Sequence, residues 1–196
     1  MSDIDPTSYT FNENALVKRR TYRLTEDALT WQAEGERLDG VFYDEIAEVQ
    51  MAYIPSRFAT NRYRTRIILR RGGMVNLLNT DFIGFGSFTE KNAEYRAFIL
   101  ELHRRLAEHG KDIVYRKGSS GGGYVANMGL TIFIFVMIGI AVVMLLNFGL
   151  VWIAVVKLVI ILFFIPTLIR FMRRSRPESY DPLSPSKDAM PEVLTA

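Results

Sequence analysis

Hydrophobic and polar positions follow three rhythms along this chain. The first is short-range alternation. Residues 19–24 place Tyr22 and Leu24 on one face and Arg23 on the other, break at Thr25-Glu26-Asp27, and resume at 28–31. That pattern predicts two strands joined by a turn. Further short strands are predicted at 41–43, 46–54, 63–69, 74–79 and 81–83, with a loop at 55–61. Gly72-Gly73 suits a tight hairpin turn. With those two glycines as the loop, Ile67 is expected opposite Leu78 and Ile68 opposite Leu77, which also sets Arg64 against Asp81.

The second rhythm is helical. Ser87-Phe88-Thr89-Glu90 matches the S-x-x-E capping box. Behind it, Tyr95, Phe98, Leu102 and Leu106, flanked by Ile99, recur at the 3.6-residue period of one buried helix face, and Gly110 marks its end.

The third is continuous. From Gly118 to Val156 there is no charged residue, and apolar character runs on to residue 169. As helices, residues 124–147 would extend roughly 36 Å and 150–169 roughly 30 Å. Either length crosses a hydrocarbon core of roughly 30 Å. Asn147-Phe148-Gly149 is expected to be a tight turn, which makes the segment a transmembrane hairpin. Lys157 is the one charge inside the spans. It lies level with Gly139, with Ala154 one turn earlier on the same face, so Lys157, Gly139 and Ala154 are expected to form a helix–helix interface, within the hairpin or between subunits. Snorkelling of the lysine toward the headgroups is the alternative.

These rhythms divide the chain into a polar lead-in (1–16), a strand-rich domain closed by a helix (17–117), a Gly/Ser linker (118–123), the hairpin (124–171) and a proline-rich tail expected to be disordered (172–196). A fragment ending near Lys117 is expected to fold alone. The expected fold class is an α+β soluble domain of about seven short antiparallel strands closed by one C-terminal helix, plus an all-α two-helix hairpin. Lys111, Arg116 and Lys117 precede the spans and Arg170, Arg173, Arg174 and Arg176 follow them. Basic flanks stay on the cytoplasmic side, so a multi-pass inner (plasma) membrane protein with both termini cytoplasmic is expected. The first twenty residues are acidic and polar, without the apolar core of a cleavable signal, so the hairpin is expected to direct insertion.

The stretches YRLTEDALTW, VFYDEIAEV, RTRIILRRGGMVNLL and SFTEKNAEYRAFILELHRRL, taken in order, resemble the pleckstrin-homology-like fold. Together with the hairpin the whole resembles bacterial membrane proteins that carry such a domain. The resemblance covers residues 19–110. Phosphoinositide recognition is not implied, because residues 28–32 lack the basic residues that such sites place after the first turn.

Candidate chemistry adds little that is catalytic. The absence of cysteine excludes disulfides, iron–sulfur clusters and cysteine-based zinc. His103 and His109 fall on different faces of one helix with no partner at ligand spacing, and are expected to be surface residues. Gly84-Phe85-Gly86-Ser87 lacks the third glycine of a dinucleotide loop. Asp44, Glu45 and Glu48 suggest a solvated strand edge. No cofactor and no metal is expected. One cluster carries content: Arg57, Arg62, Arg64, Arg66, Arg70 and Arg71, with Tyr63 among them and no acidic residue between Glu48 and Asp81. Arg62, Arg64 and Arg66 share one face of a strand. They are candidates for binding anionic lipid or a protein partner. Nucleic acid is not expected of a membrane-tethered domain. The function expected is a membrane-anchored, non-catalytic interaction or scaffold protein. Its partners are the lipid bilayer and another membrane protein or a second copy of itself. The alternatives are an anionic-lipid-binding or lipid-sensing module and an accessory subunit of a transport or channel assembly.

Overall fold

The computed structural model describes residues 4–56, 59–84, 86–118, 121–153, 155–159, 162–163, 178–185 and 189–192. It divides into two compact units, one of residues 1–118 with 178–196, the other of residues 119–177. The protein is α+β, with antiparallel sheets and few helices.

The first unit opens with β1 (Ser8–Phe11), inside the segment expected to be a polar lead-in. Its Tyr9 and Phe11 are buried and Ser8 and Thr10 are not, the period of a half-buried strand. β2 (Arg20–Leu24), β3 (Ala28–Ala33) and β4 (Asp39–Phe42) complete a meander in the order β1-β2-β3-β4. A 3-10 turn at Tyr43–Glu45 leads into β5 (Ile46–Tyr53), followed by β6 (Tyr63–Leu69) and β7 (Met74–Leu78).

The β6–β7 register corrects the sequence expectation. Ile67 faces Val75, Ile68 faces Met74 and Arg64 faces Leu78. The turn is centred on Arg70-Arg71, since the Gly72 N–H donates to the Leu69 carbonyl and the Leu69 N–H to the Gly73 carbonyl. Gly72 and Gly73 sit at φ of 89° and 93° on its far limb, a conformation that glycine reaches without steric cost. Asp81 therefore does not meet Arg64. It is buried in β8 (Thr80–Gly84), where its carboxylate lies 3.1 Å from Arg19 and 3.8 Å from Lys91 and accepts the Asn12 backbone N–H at 2.8 Å.

Ser87–Glu90 forms β9, paired with β8, and does not cap the helix. The four residues fit both patterns. Pairing of Phe88 with Phe82, ring centroids 5.6 Å apart, favours the strand. Helix α1 (Asn92–His109) starts after Lys91, whose side chain makes no capping bond. The expected stripe is its buried face: Tyr95, Phe98, Ile99, Leu102 and Leu106 are at most 1% exposed. Gly110 ends the helix with its N–H on the Leu106 carbonyl. A Cβ there would collide with the Ile113 side chain and with that carbonyl oxygen, so the position requires glycine for space.

Two further strands come from segments assigned no structure by their pattern. β10 (Val114–Lys117) runs parallel to β5, and β11 (Glu178–Ser179) pairs antiparallel with β10, giving the order β11-β10-β5-β6-β7. The expectation of a disordered tail is thereby corrected for residues 178–185 and 189–192. Ala189 and Met190 are buried in the same core cluster as Tyr9, Leu29, Ile67 and Phe98, with Tyr180 packed against it. A strand of two residues has little sequence signal of its own, and its burial depends on a partner 61 residues earlier.

The second unit contains α2 (Gly121–Asn147). Residues 121–123 thus belong to a helix and not to the expected linker. Within α2, Met128–Asn147 is 20 residues long and apolar enough to cross a membrane. A turn at residues 148–149, with Gly149 at φ of 73°, is followed by helical residues at 151–153, 155–159 and 162–163. Ala154 and residues 164–169 lie outside the described residues.

Candidate functional site

β6 carries the site because its alternation separates two chemistries. Tyr63, Thr65 and Ile67 point into the core, where the Thr65 hydroxyl meets the Tyr95 phenol at 2.7 Å. Arg64 and Arg66, with Arg62 just ahead of the strand, take the opposite face. Arg66 stands between Gln50 of β5 and Asn76 of β7, and Arg64 between Ala52 and Leu78. The Arg62 guanidinium lies over the Phe88 ring, 5.4 Å from its centroid, close enough for a cation–π contact.

All three arginines are half-buried, and their Nε atoms are shielded from water with no hydrogen-bond partner among the described residues, as is Asn76 Oδ1. Among the described residues none of the three forms an ion pair. Burial lowers the pKa of Arg62 and of Arg64, and Arg64 is pushed further down by Arg66 and Arg62 beside it. Glu13 is the carboxylate whose field offsets this for both. Guanidinium groups stay charged regardless. The face thus holds neighbouring like charges with donors unused, and an anion placed there would relieve both costs.

The other members of the arginine cluster are elsewhere. Arg70 is a clamp: its Nε donates to the Asp44 carbonyl at 2.9 Å and its Nη2 to the Lys111 and Asp112 carbonyls, tying the β6–β7 turn to the end of α1. Arg71 lies 3.7 Å from Glu45 and is largely exposed. Tyr63 is 5% exposed, with its ring against Tyr53 at 5.2 Å, so it belongs to the core and not to a binding face. Arg57 lies outside the described residues. Glu48 is engaged with Arg116 at 3.7 Å. In the second unit, a Cβ built on Gly139 meets no described atom within 4 Å, and Lys157 is exposed.

Another corner of the first unit escaped the sequence reading. His103 is buried, not a surface residue. Its Nδ1 is 2.7 Å from the Ile99 carbonyl, which can only accept, so Nδ1 carries the proton. Nε2 is then the acceptor for the Tyr180 O–H at 2.7 Å. Tyr115 and Tyr180 flank the imidazole, with centroids 5.7 Å from it. Position 103 lies one turn beyond Ile99 on the buried stripe, which is the signal that locates it. His109 stacks on Tyr43. Among the described residues no three His, Cys, Asp or Glu side chains gather as a metal site.

A cavity of about 450 Å³ lies against the first sheet, lined by Thr10, Arg19, Thr21, Arg23, Thr30 and Gln32 among others. Its polar groups are largely engaged: the Thr10 and Thr21 hydroxyls meet at 2.9 Å, Thr30 bonds the Arg23 carbonyl and Arg19 holds Asp81. The arginine row, with its unused donors, is the stronger candidate.

No family model matches the chain, and no curated protein matches it. Among solved structures it is similar to the one described as "Structure of the Spt16D Pob3N heterodimer", at 15% identity and a TM-score of 0.35, covering 59% of this chain and 56% of that one. The chain thus spans little more than half of that neighbour, and a likeness this slight carries no inference about fold or function.

Proposed function

We propose that the protein is a membrane-anchored, non-catalytic interaction module, with its strand-rich unit held at the cytoplasmic face of the inner membrane by a pair of spans. The observation that carries this reading is the β10–β11 ladder. Lys117 and Glu178 are paired residues, their side chains 2.8 Å apart, and residues 119–177 leave and return between them. An odd number of crossings would put these partners on opposite sides of the bilayer. If Met128–Asn147 crosses the membrane, the chain crosses again before Glu178, and the apolar helical stretch after Gly149 is the segment suited to it. The basic flanks at Lys111, Arg116 and Lys117 and at Arg170, Arg173, Arg174 and Arg176 favour the cytoplasm for both ends.

The chain has no cysteine, so single cysteines report topology without background. In intact cells a membrane-impermeant thiol reagent should label Phe148→Cys, at the turn, and leave Ser184→Cys unlabelled until the cells are opened. Labelling of Ser184→Cys from outside overturns the reading.

The row of Arg62, Arg64 and Arg66 supports a second reading, in which this face rests on anionic headgroups. Each arginine near such a surface contributes about 1 kcal/mol, and the attraction weakens as salt rises.

A further inference from the structure

We propose that the row Arg62, Arg64, Arg66 receives an extended acidic segment of a partner protein, whose carboxylates at every second position meet successive guanidinium groups. The proposal rests on the interaction-module reading and names the chemistry of its partner.

Spacing is the first argument. Alternate residues of a strand recur every 6.6–6.8 Å or so, and an extended segment laid along β6 repeats at the same distance. Alternating Asp or Glu side chains therefore stay in step with the three arginines. The planar guanidinium fork suits a carboxylate, which it can engage through two parallel N–H···O bonds.

The second argument is the pattern of unused atoms. Among the described residues the Nε atoms of Arg62, Arg64 and Arg66 and Asn76 Oδ1, directly across the ladder from Arg66, lack partners and are shielded from water, so a ligand meets them as these half-buried side chains turn outward. A polypeptide brings both complements, carboxylate acceptors and backbone N–H donors. A lipid phosphate brings acceptors alone, and the ammonium or hydroxyl donors of a headgroup are not fixed at strand spacing as backbone N–H groups are.

Charge is the third. Among the described residues the row has no ion-pair partner, and Glu13 is the carboxylate whose field reaches Arg62 and Arg64. Arg116, on the far side of Gln50, is already matched by Glu48. The unmatched charge is therefore linear, not a broad basic patch. A line favours an extended ligand over a headgroup layer.

The test uses the full chain in neutral detergent at low ionic strength, with two fluorescent peptides of one composition, Glu-Thr-Glu-Thr-Glu-Thr and Glu-Glu-Glu-Thr-Thr-Thr. The alternating peptide should bind with a dissociation constant below about 1 mM, and at least about ten-fold more tightly than the block peptide. Arg64→Gln should weaken the alternating peptide about ten-fold or more and bring the two peptides level. Tryptophan emission and circular dichroism unchanged from the parent chain establish that the variant is folded. Equal binding of the two peptides, no binding, or binding indifferent to Arg64→Gln overturns the proposal. A headgroup surface would give a different result: Arg64→Cys in proteoliposomes would react with a thiol reagent more slowly in anionic than in neutral lipid, while peptide affinity ignored Arg64. A protein partner recovered by crosslinking regardless of Arg64→Gln would remove this assignment and leave the module reading standing.

Discussion

A chain cut after Lys117 is expected to fail to hold its fold, although the strand series and the stripe of α1 suggest a self-sufficient domain. The cut removes Met190, 2% exposed in the core cluster, together with Ala189, Tyr180 and the β11 edge. Loss of a buried methionine side chain alone costs about 2–5 kcal/mol. Loss of the hydrogen bond from the Tyr180 hydroxyl to His103 Nε2 costs about 0.5–1.5 kcal/mol more. Together these approach the 5–15 kcal/mol or so that holds an ordinary domain. The measurement is urea unfolding followed by Trp31 emission, with Trp152→Phe removing the second tryptophan. The truncated chain should show no cooperative transition, or one displaced to far lower urea. In the full chain, Met190→Ala should lower stability by about 2–5 kcal/mol. A cooperative transition in the truncated chain within about 1 kcal/mol of the full chain would mean that the tail only rests on the domain.

The second large effect is expected on acidification. Burial holds His103 at about 4, below its ordinary 6.5, because a buried imidazolium loses its hydration. In the unfolded chain the residue takes a proton as pH falls through 6.5, while the folded chain resists until about 4. The unfolded state therefore binds more protons across that window, and stability falls as pH falls. At 1.36 kcal/mol per pH unit the difference is about 3 kcal/mol. The flanking phenols do not titrate there, since burial pushes Tyr115 up to about 12 and Tyr180 higher still. Glu101 acts in a lower window. Its hydrogen bonds with Arg104 and Arg105 hold it at about 2, so its contribution is complete above 4.5 and is lost progressively as pH falls from 4.5 through 2. Urea midpoints between pH 7 and 4.5 should therefore decline in the parent chain and stay nearly flat in His103→Gln. An equal slope in both would show that His103 is not the group responsible.

Elements with a local cause were legible in the sequence. The stripe Tyr95, Phe98, Ile99, Leu102 and Leu106 specifies α1 because one face of a helix must be apolar throughout, and the alternation of β2, β3 and β6 is equally self-contained. The shared face of Arg62, Arg64 and Arg66 followed from that alternation alone. What it hid was nonlocal. β10 is a strand because β5, more than sixty positions earlier, offers it an edge, and β11 exists only because β10 does. The two-residue loop fitted the glycine pair, but Arg70 and Arg71 took the turn's centre, which moved the register and freed Asp81 for Arg19 and Lys91. Proximity in sequence groups Tyr63 and Arg70 with the binding face. Alternation sends the first into the core, and the second is bound by carbonyls of a loop 41 and 42 residues away. His103 fell between the two kinds, a polar residue on a stripe whose cover arrives with Tyr180 from the far end of the chain.

Closure of the strand-rich unit by a segment that returns from the apolar region is the central claim, and a cysteine pair at its seam tests it most directly. Lys117→Cys and Glu178→Cys face one another across β10 and β11, and paired strand residues lie within the Cα separations of 4.4–6.8 Å or so that a disulfide spans. Mild oxidation of native membranes carrying the double variant should give a crosslink within one chain. After cleavage at a protease site inserted beside Phe148, the two fragments should stay joined until reduced. Fragments that separate without reductant, from chains still inserted in the membrane, would contradict the account.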